Sequence, residues 1–235
     1  MKTYIIYLPN NDFSVKMANE TIESLEKFNI EYEMFEGIIG RKGGDILELD
    51  GRYPSVKINR SHWTPGTIGC LASHYLLWKK CSKQNEPFLI LEQDAIIVRD
   101  PRKLINTIDK ICHLDATNPF DLDRENHFSY YNKQIEMFVP GVSKYPYNNF
   151  YGEKTQKLIP KGCFRGTYGY IITPEGANDI LEWTKKHGLL PSDGCLNHSA
   201  THLQRANSTY VRLNPFFKTL EIQQKYSHRN PDIEL

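Results

Sequence analysis

A chain of 235 residues with 40% hydrophobic and 24% charged side chains carries enough apolar surface to offset its ordering entropy, which excludes large-scale disorder and leads us to expect one domain. With 29 basic and 28 acidic residues the net charge is +1, so no global field draws the chain to a polyanion or an anionic membrane, and nucleic acid is disfavoured as a partner. The five cysteines, Cys70, Cys81, Cys112, Cys163 and Cys195, are widely spaced and form no CxxC pair for zinc or dithiol chemistry, a usage that fits a reducing, cytoplasmic setting.

The opening MKTYIIYLPNND has an apolar run of only about five residues, short of a signal-peptide core or a membrane span. It is read as a first strand, Tyr4 to Leu8, broken by Pro9, Asn10, Asn11 and Asp12. The sequons at Asn19, Asn59, Asn197 and Asn207 are read as chance matches, since no entry signal for the secretory path is visible. Val15, Ala18, Ile22 and Leu25 recur at helical spacing and predict an amphipathic helix from Asp12 to about Phe28. Ile30, Tyr32 and Met34 alternate with Glu31 and Glu33, which predicts a second strand, and Gly37, Gly40, Gly43 and Gly44 predict a flexible loop after it. In TPGTIGCLASHYLLWKKC, Ile68, Leu71, Ala72, Tyr75 and Leu76 share one face and predict a buried helix with Thr67 as its N-cap.

Pro87 opens the strand FLILE, and a β-α-like connection runs through Pro101 to about Ile111. The order β-α-β-α-β argues for an α/β sheet with parallel neighbours. From His113 to Phe164 no clean period appears, but nine aromatic residues precede Phe164, among them Phe120, Tyr130, Tyr145 and Tyr151; the segment is a long insertion or a set of short strands. A strand at Tyr168 to Ile172 and a helix with Thr173 as N-cap, Pro174 at its first position and Gly188 as its stop follow.

Chemistry concentrates in LILEQDAIIVRD, Leu89 to Asp100, where an apolar run is interrupted by Glu92, Gln93 and Asp94 and then resumes. In open α/β sheets ligands bind outside the carboxyl ends of the strands. Carboxylates at i and i+2 on a strand point to the same side, so one divalent ion, or an ion plus a ribose, is within reach of both, and oxygen ligands favour Mg²⁺ or Mn²⁺ over zinc. Alternatively the two acids form the polar face of a half-buried strand, although core on both sides makes unpaired carboxylates costly unless a cation or donors meet them. There is no GxGxxG after a strand, Walker lysine, HExxH or GxSxG. His74 in the buried helix is read either as a hydrogen-bonded core histidine or as a ligand, and Ser73 shares that ambiguity.

In order along the chain, YLPN, FEGIIG, WTPGTIGCLASHYLLW (Trp63 to Trp78), LILEQDAI, GTYGYIIT, LPSD and QQKYSH resemble the motifs of glycosyltransferase family 25, which includes lipooligosaccharide and procollagen galactosyltransferases. The block from Trp63 to Trp78, similar to the family's L-T-x-G-E-I-G-C-x-x-S-H-x-x-x-W, is the most specific. Gln93 replaces the middle acid of the family's E-D-D, and the arginine after the first strand is absent, Lys16 being the nearest basic residue. The resemblance implies a GT-A-like, Rossmann-type single α/β domain over the whole chain, with a mixed, mainly parallel sheet flanked by helices. It further implies inverting transfer of a sugar from a nucleotide-sugar, a UDP-sugar such as UDP-galactose or UDP-glucose, to a glycan, lipid-linked or protein hydroxyl.

On the same resemblance Asp94 holds Mn²⁺ or Mg²⁺, Glu92 assists through water or the ribose, Gln93 turns to the opposite face, and His228 completes the metal shell. Asp193 is the candidate general base, Ser73, His74, Arg165 and Thr167 are candidate donor contacts, and the aromatic insertion offers stacking faces to the acceptor. Gln93 keeps a second hypothesis open, a nucleotide-sugar or glycan binding module without turnover. A third is a metal-dependent phosphoester hydrolase, which needs a second cluster of ligands.

Overall fold

The computed structural model describes residues 1–53, 63–116, 138–146, 162–164 and 166–214. Its elements begin with β1 (Lys2–Tyr7), α1 (Asp12–Glu26), β2 (Glu33–Glu36), α2 (Gly40–Leu49), α3 (Pro65–Cys81), β3 (Phe88–Glu92) and β4 (Ala95–Ile97). A 3₁₀ helix (Pro101–Thr107) precedes β5 (Ile111–His113), β6 (Val142–Lys144), β7 (Gly169–Ile172), α4 (Pro174–His187), the single-turn α5 (Ser192–Cys195), β8 (Leu203–Ala206) and β9 (Val211–Leu213). One sheet takes seven strands in the order β2-β1-β3-β7-β5-β8-β6, with β7 and β6 antiparallel to the other five. The expected α/β architecture with a mixed, mainly parallel sheet is therefore what the chain adopts.

Strand alternation distributes the core over both faces of that sheet. Tyr4, Ile6, Phe88, Ile90, Tyr170 and Ile172 face Leu71, Tyr75 and Trp78 of α3 and Ala177 and Ile180 of α4. Ile5, Leu89, Leu91 and Ile171 join Ala18 and Leu25 of α1 and the apolar residues of β4 and β9 on the other side. Burial on both faces explains why FLILE reads as an unbroken apolar run. Helix α4 follows its local signals: Thr173 accepts a hydrogen bond from Gly176 N at 3.1 Å, Pro174 opens the first turn, and Gly188 ends it at φ 83°. Among the described residues no helix is long and apolar enough to cross a membrane.

Three expectations are corrected. Of the glycines after the second strand only Gly37 lies in a loop, the short link 37–39, because Gly40, Gly43 and Gly44 open α2, which lies directly on α3. A Cβ on Gly69 would come within 2.3 Å of the Ile38 carbonyl oxygen, and one on Gly43 within 3.1 Å of that of Ile68, so glycine at these two positions permits backbone to approach backbone. The N-cap of α3 is Thr64, whose Oγ1 accepts from Thr67 N at 3.2 Å ahead of Pro65; Thr67 is already inside the helix. Finally, the apolar run around the acids is two strands. The chain leaves the main sheet after Glu92, turns through Gln93 and Asp94, and pairs β4 antiparallel with β9. Glu92 and Asp94 therefore do not share a face of one strand. Much of the aromatic segment lies outside the described residues; of its described rings, Tyr145 and Phe164 are core and Phe138 is exposed.

Candidate active site

Strand register brings the chemistry-bearing residues to one edge of the sheet. Ile6 of β1 pairs with Glu92 at the carboxyl end of β3, Leu91 with Gly169 at the start of the antiparallel β7, and Tyr170 with His113 at the carboxyl end of β5. That edge is where open α/β sheets gather ligands.

Glu92 is the hub. Its side chain is 23% exposed, and its Oε1 meets both Thr167 Oγ1 at 2.5 Å and His74 Nε2 at 3.1 Å. Thr167 is in turn 3.2 Å from Ser192 Oγ, which is 3.4 Å from Cys70 Sγ. The other nitrogen of His74 lies 2.9 Å from the Tyr170 hydroxyl, to which Trp78 Nε1 donates at 2.8 Å. Cys70, His74 and Trp78 stand four residues apart along α3, so one stripe of that helix supplies all three. His74, Trp78 and Tyr170 are wholly buried, and burial pushes the Tyr170 hydroxyl well above the usual tyrosine range.

Asp94 is in a different state. It is buried, its Oδ1 has no hydrogen-bond partner among the described residues, and its main-chain oxygen accepts from Asn214 N at 2.7 Å. Burial, with the charge of Glu92 next, pushes its carboxyl up to about 8. A buried acid with an orphaned oxygen beside a second acid is costly unless a cation reaches it, and two carboxylates are the hard oxygen donors that Mg²⁺ or Mn²⁺ prefer. The turn is fixed from below by α1: Thr21 Oγ1 donates to the Gln93 carbonyl at 2.7 Å, and Ser24 Oγ accepts from Ile97 N at 2.9 Å. A softer set, Cys70, His74 and Glu92, has ligand atoms within 4.8 Å of one another.

Asp193 stands half-buried on α5, with Oδ1 accepting from Gly194 N at 2.9 Å. Burial, followed by the charge of Glu92 and then that of Asp193 among its causes, pushes the Cys70 thiol up, which places both acids in the electrostatic neighbourhood of one side chain. Ser73 is engaged elsewhere: its hydroxyl accepts from Ile38 N and donates to the Gly69 carbonyl, both at 2.8 Å, tying the entry of α2 to α3. The structure thus gathers Glu92, Asp94, His74 and Thr167 with Asp193 close by; Arg165 and His228 lie outside the described residues. Sequence reasoning passed over Tyr170, Trp78, Ser192 and Cys70. The four-residue spacing of Cys70, His74 and Trp78 was the available signal.

Residues 1–196 match the family model described as Glycosyltransferase family 25 (LPS biosynthesis protein). The chain is 24% identical over 197 residues to a Glycosyltransferase 25 family member of Aedes aegypti, covering 80% of this chain and 29% of that protein. It is 30% identical over 132 residues to the lipooligosaccharide biosynthesis protein lex-1 of Haemophilus influenzae, covering 55% of this chain and 39% of the relative. It therefore spans well under half the length of either relative. Among solved structures, a Drosophila β-1,4-galactosyltransferase 7 variant in complex with manganese, UDP-Gal and xylobiose superposes with a TM-score of 0.39 at 9% identity, covering 100% of this chain and 82% of the other.

Proposed function

Because the chain belongs to glycosyltransferase family 25, we propose that it transfers a sugar, with inversion, from a nucleotide-sugar to a hydroxyl of a glycan, lipid-linked or protein acceptor. The donor class we assign is a UDP-sugar, UDP-galactose or UDP-glucose. The observation that carries the reading is the buried, orphaned Oδ1 of Asp94 beside Glu92 at the carboxyl edge of the sheet.

Mg²⁺ or Mn²⁺ held by Asp94, with Glu92 beside it, would neutralise the charge that develops on the departing diphosphate. His228 is assigned to the same ion from the family resemblance, and Arg165, just ahead of the GTYGYIIT block, to the phosphate or the sugar of the donor. Glu92, fixed by His74 and Thr167, orients the donor ribose. Inversion requires the acceptor oxygen to form its bond to the anomeric carbon on the face opposite the breaking bond to the diphosphate, and Asp193 takes the hydroxyl proton as that bond forms. The free state of all five cysteines supports a reducing, cytoplasmic location, and the shared sheet supports a single domain.

The test is release of UDP from UDP-sugars with Mn²⁺ and with EDTA, together with thermal-shift screening of UDP-, GDP- and CDP-sugars. Asp94→Asn is expected to lose about 100-fold or more of the metal-dependent rate. Full metal-dependent activity in that variant would overturn the role of Asp94, and tight UDP binding without any sugar release over hours would make the chain a binding module instead.

A further inference from the structure

Proton counting sets the direction of the hydrogen bonds that His74 and Thr167 make to Glu92. Trp78 Nε1 has one hydrogen and no lone pair to offer, so at the Tyr170 hydroxyl it donates. The one proton of Tyr170 has no acceptor among the described residues other than His74 Nδ1, and pairing that buried proton makes Nδ1 the acceptor and leaves the ring proton on Nε2, facing Glu92 Oε1. On the other side Thr167 donates to the same Oε1. Its oxygen therefore accepts from Ser192, whose own oxygen accepts from the Cys70 thiol. Two one-way donor series, Trp78 to Tyr170 to His74 and Cys70 to Ser192 to Thr167, end on one carboxylate oxygen. All of their members except Cys70 are buried.

We propose that Tyr170 and Thr167 are positioning residues which hold Glu92 Oε1 as an oriented acceptor, Tyr170 by donating to Nδ1 and so keeping the His74 hydrogen on Nε2, and Thr167 by its own hydroxyl. Both series present a hydrogen to Oε1, which fixes how the carboxyl group is turned. In this tautomer His74 presents a hydrogen to Glu92 and no lone pair, and it serves there as a donor and not as a metal ligand. The proposal rests on the transferase reading for its kinetic consequence and not for its structural one.

The experiment is an imidazole nitrogen–proton correlation spectrum of the full chain labelled with ¹⁵N-histidine near neutral pH, the His74 signals being identified by their loss in His74→Gln. The expected wild-type result is a singly protonated His74 ring with its hydrogen on Nε2 and an Nδ1 signal shifted by the Tyr170 donor, a shift that Tyr170→Phe removes; an unchanged Nδ1 signal in that variant would overturn the role of Tyr170. A ring protonated on Nδ1 alone, or on both nitrogens, overturns the proposal whatever the chain catalyses. In the kinetic arm Thr167→Val lowers kcat about 10- to 100-fold and Thr167→Ser restores it. Equal losses in the valine and serine variants would mean that the position acts through packing and would overturn the role of Thr167. The wild-type spectrum and the Thr167 pair decide the matter even where Tyr170→Phe fails to fold. If no donor supports transfer, the transferase reading falls while the spectrum still tests the tautomer.

Discussion

Asp94 and Glu92 are two residues apart and experience opposite environments. Glu92 receives two donors on Oε1, whereas Asp94 Oδ1 receives none among the described residues. Burial pushes the Asp94 carboxyl up to about 8 in the folded chain against 3.8 ordinarily, so between those values the folded state keeps a proton that the unfolded state has released. The stabilisation this gives is complete below about pH 4 and is lost as the pH rises through about 8. In EDTA the wild type should therefore lose melting temperature relative to Asp94→Asn as the pH is raised across that window, and added Mg²⁺ or Mn²⁺ should narrow the gap. Parallel melting profiles for the two proteins would show that the acid is not buried as described. Tyr170→Phe leaves the Trp78 N–H without its acceptor, and urea titration should register a cost of about 1–3 kcal/mol. The acid motif itself was legible in the sequence because carboxylates inside an apolar run are costly. The Tyr170 and Ser192 contacts were not, since they join residues 92 and 122 positions apart to α3.

At the scale of elements, what was legible was what is local. Helix α4 declares itself through Thr173, Pro174 and Gly188, all within its own turns. The same rule, a capping residue immediately before proline, would have selected Thr64 over Thr67 for α3; Thr64→Ala should cost about 1 kcal/mol by denaturant melting. The glycines of α2 misled because their low helix propensity is visible in the sequence, whereas the helix they press against begins more than twenty residues later. The glycines of α2 and α3 separate on substitution. Gly69→Ala places a methyl against the Ile38 carbonyl and should destabilise by about 1–3 kcal/mol. Gly44→Ala meets nothing within 4 Å and should stabilise α2 by about 0.5–1 kcal/mol. A loss at Gly44 or none at Gly69 would mean that α2 and α3 do not pack as described.

For the whole molecule, the sheet order 2-1-3-7-5-8-6 pairs strands distant in sequence, and no periodicity encodes such pairing. The fold class was legible from the succession of strands and helices, but the departure of β4 to a second sheet was not, because β3 and β4 are equally apolar and only two residues separate them. That departure gives the acidic turn an unusual attachment. Ile97 N is bonded to the buried Ser24 hydroxyl, and the Gln93 carbonyl to Thr21, 72 residues earlier in the chain. Solvent can reach the Ile97 amide only when α1 lifts from β4, so in native-state deuterium exchange Ile97 should open together with the amides of α1, at a free energy of its own, and Ser24→Ala should hasten it while leaving Leu89 to Leu91 slow. The cooperative unit that carries Asp94 is then the N-terminal β-α hairpin and not the strand from which the acid projects.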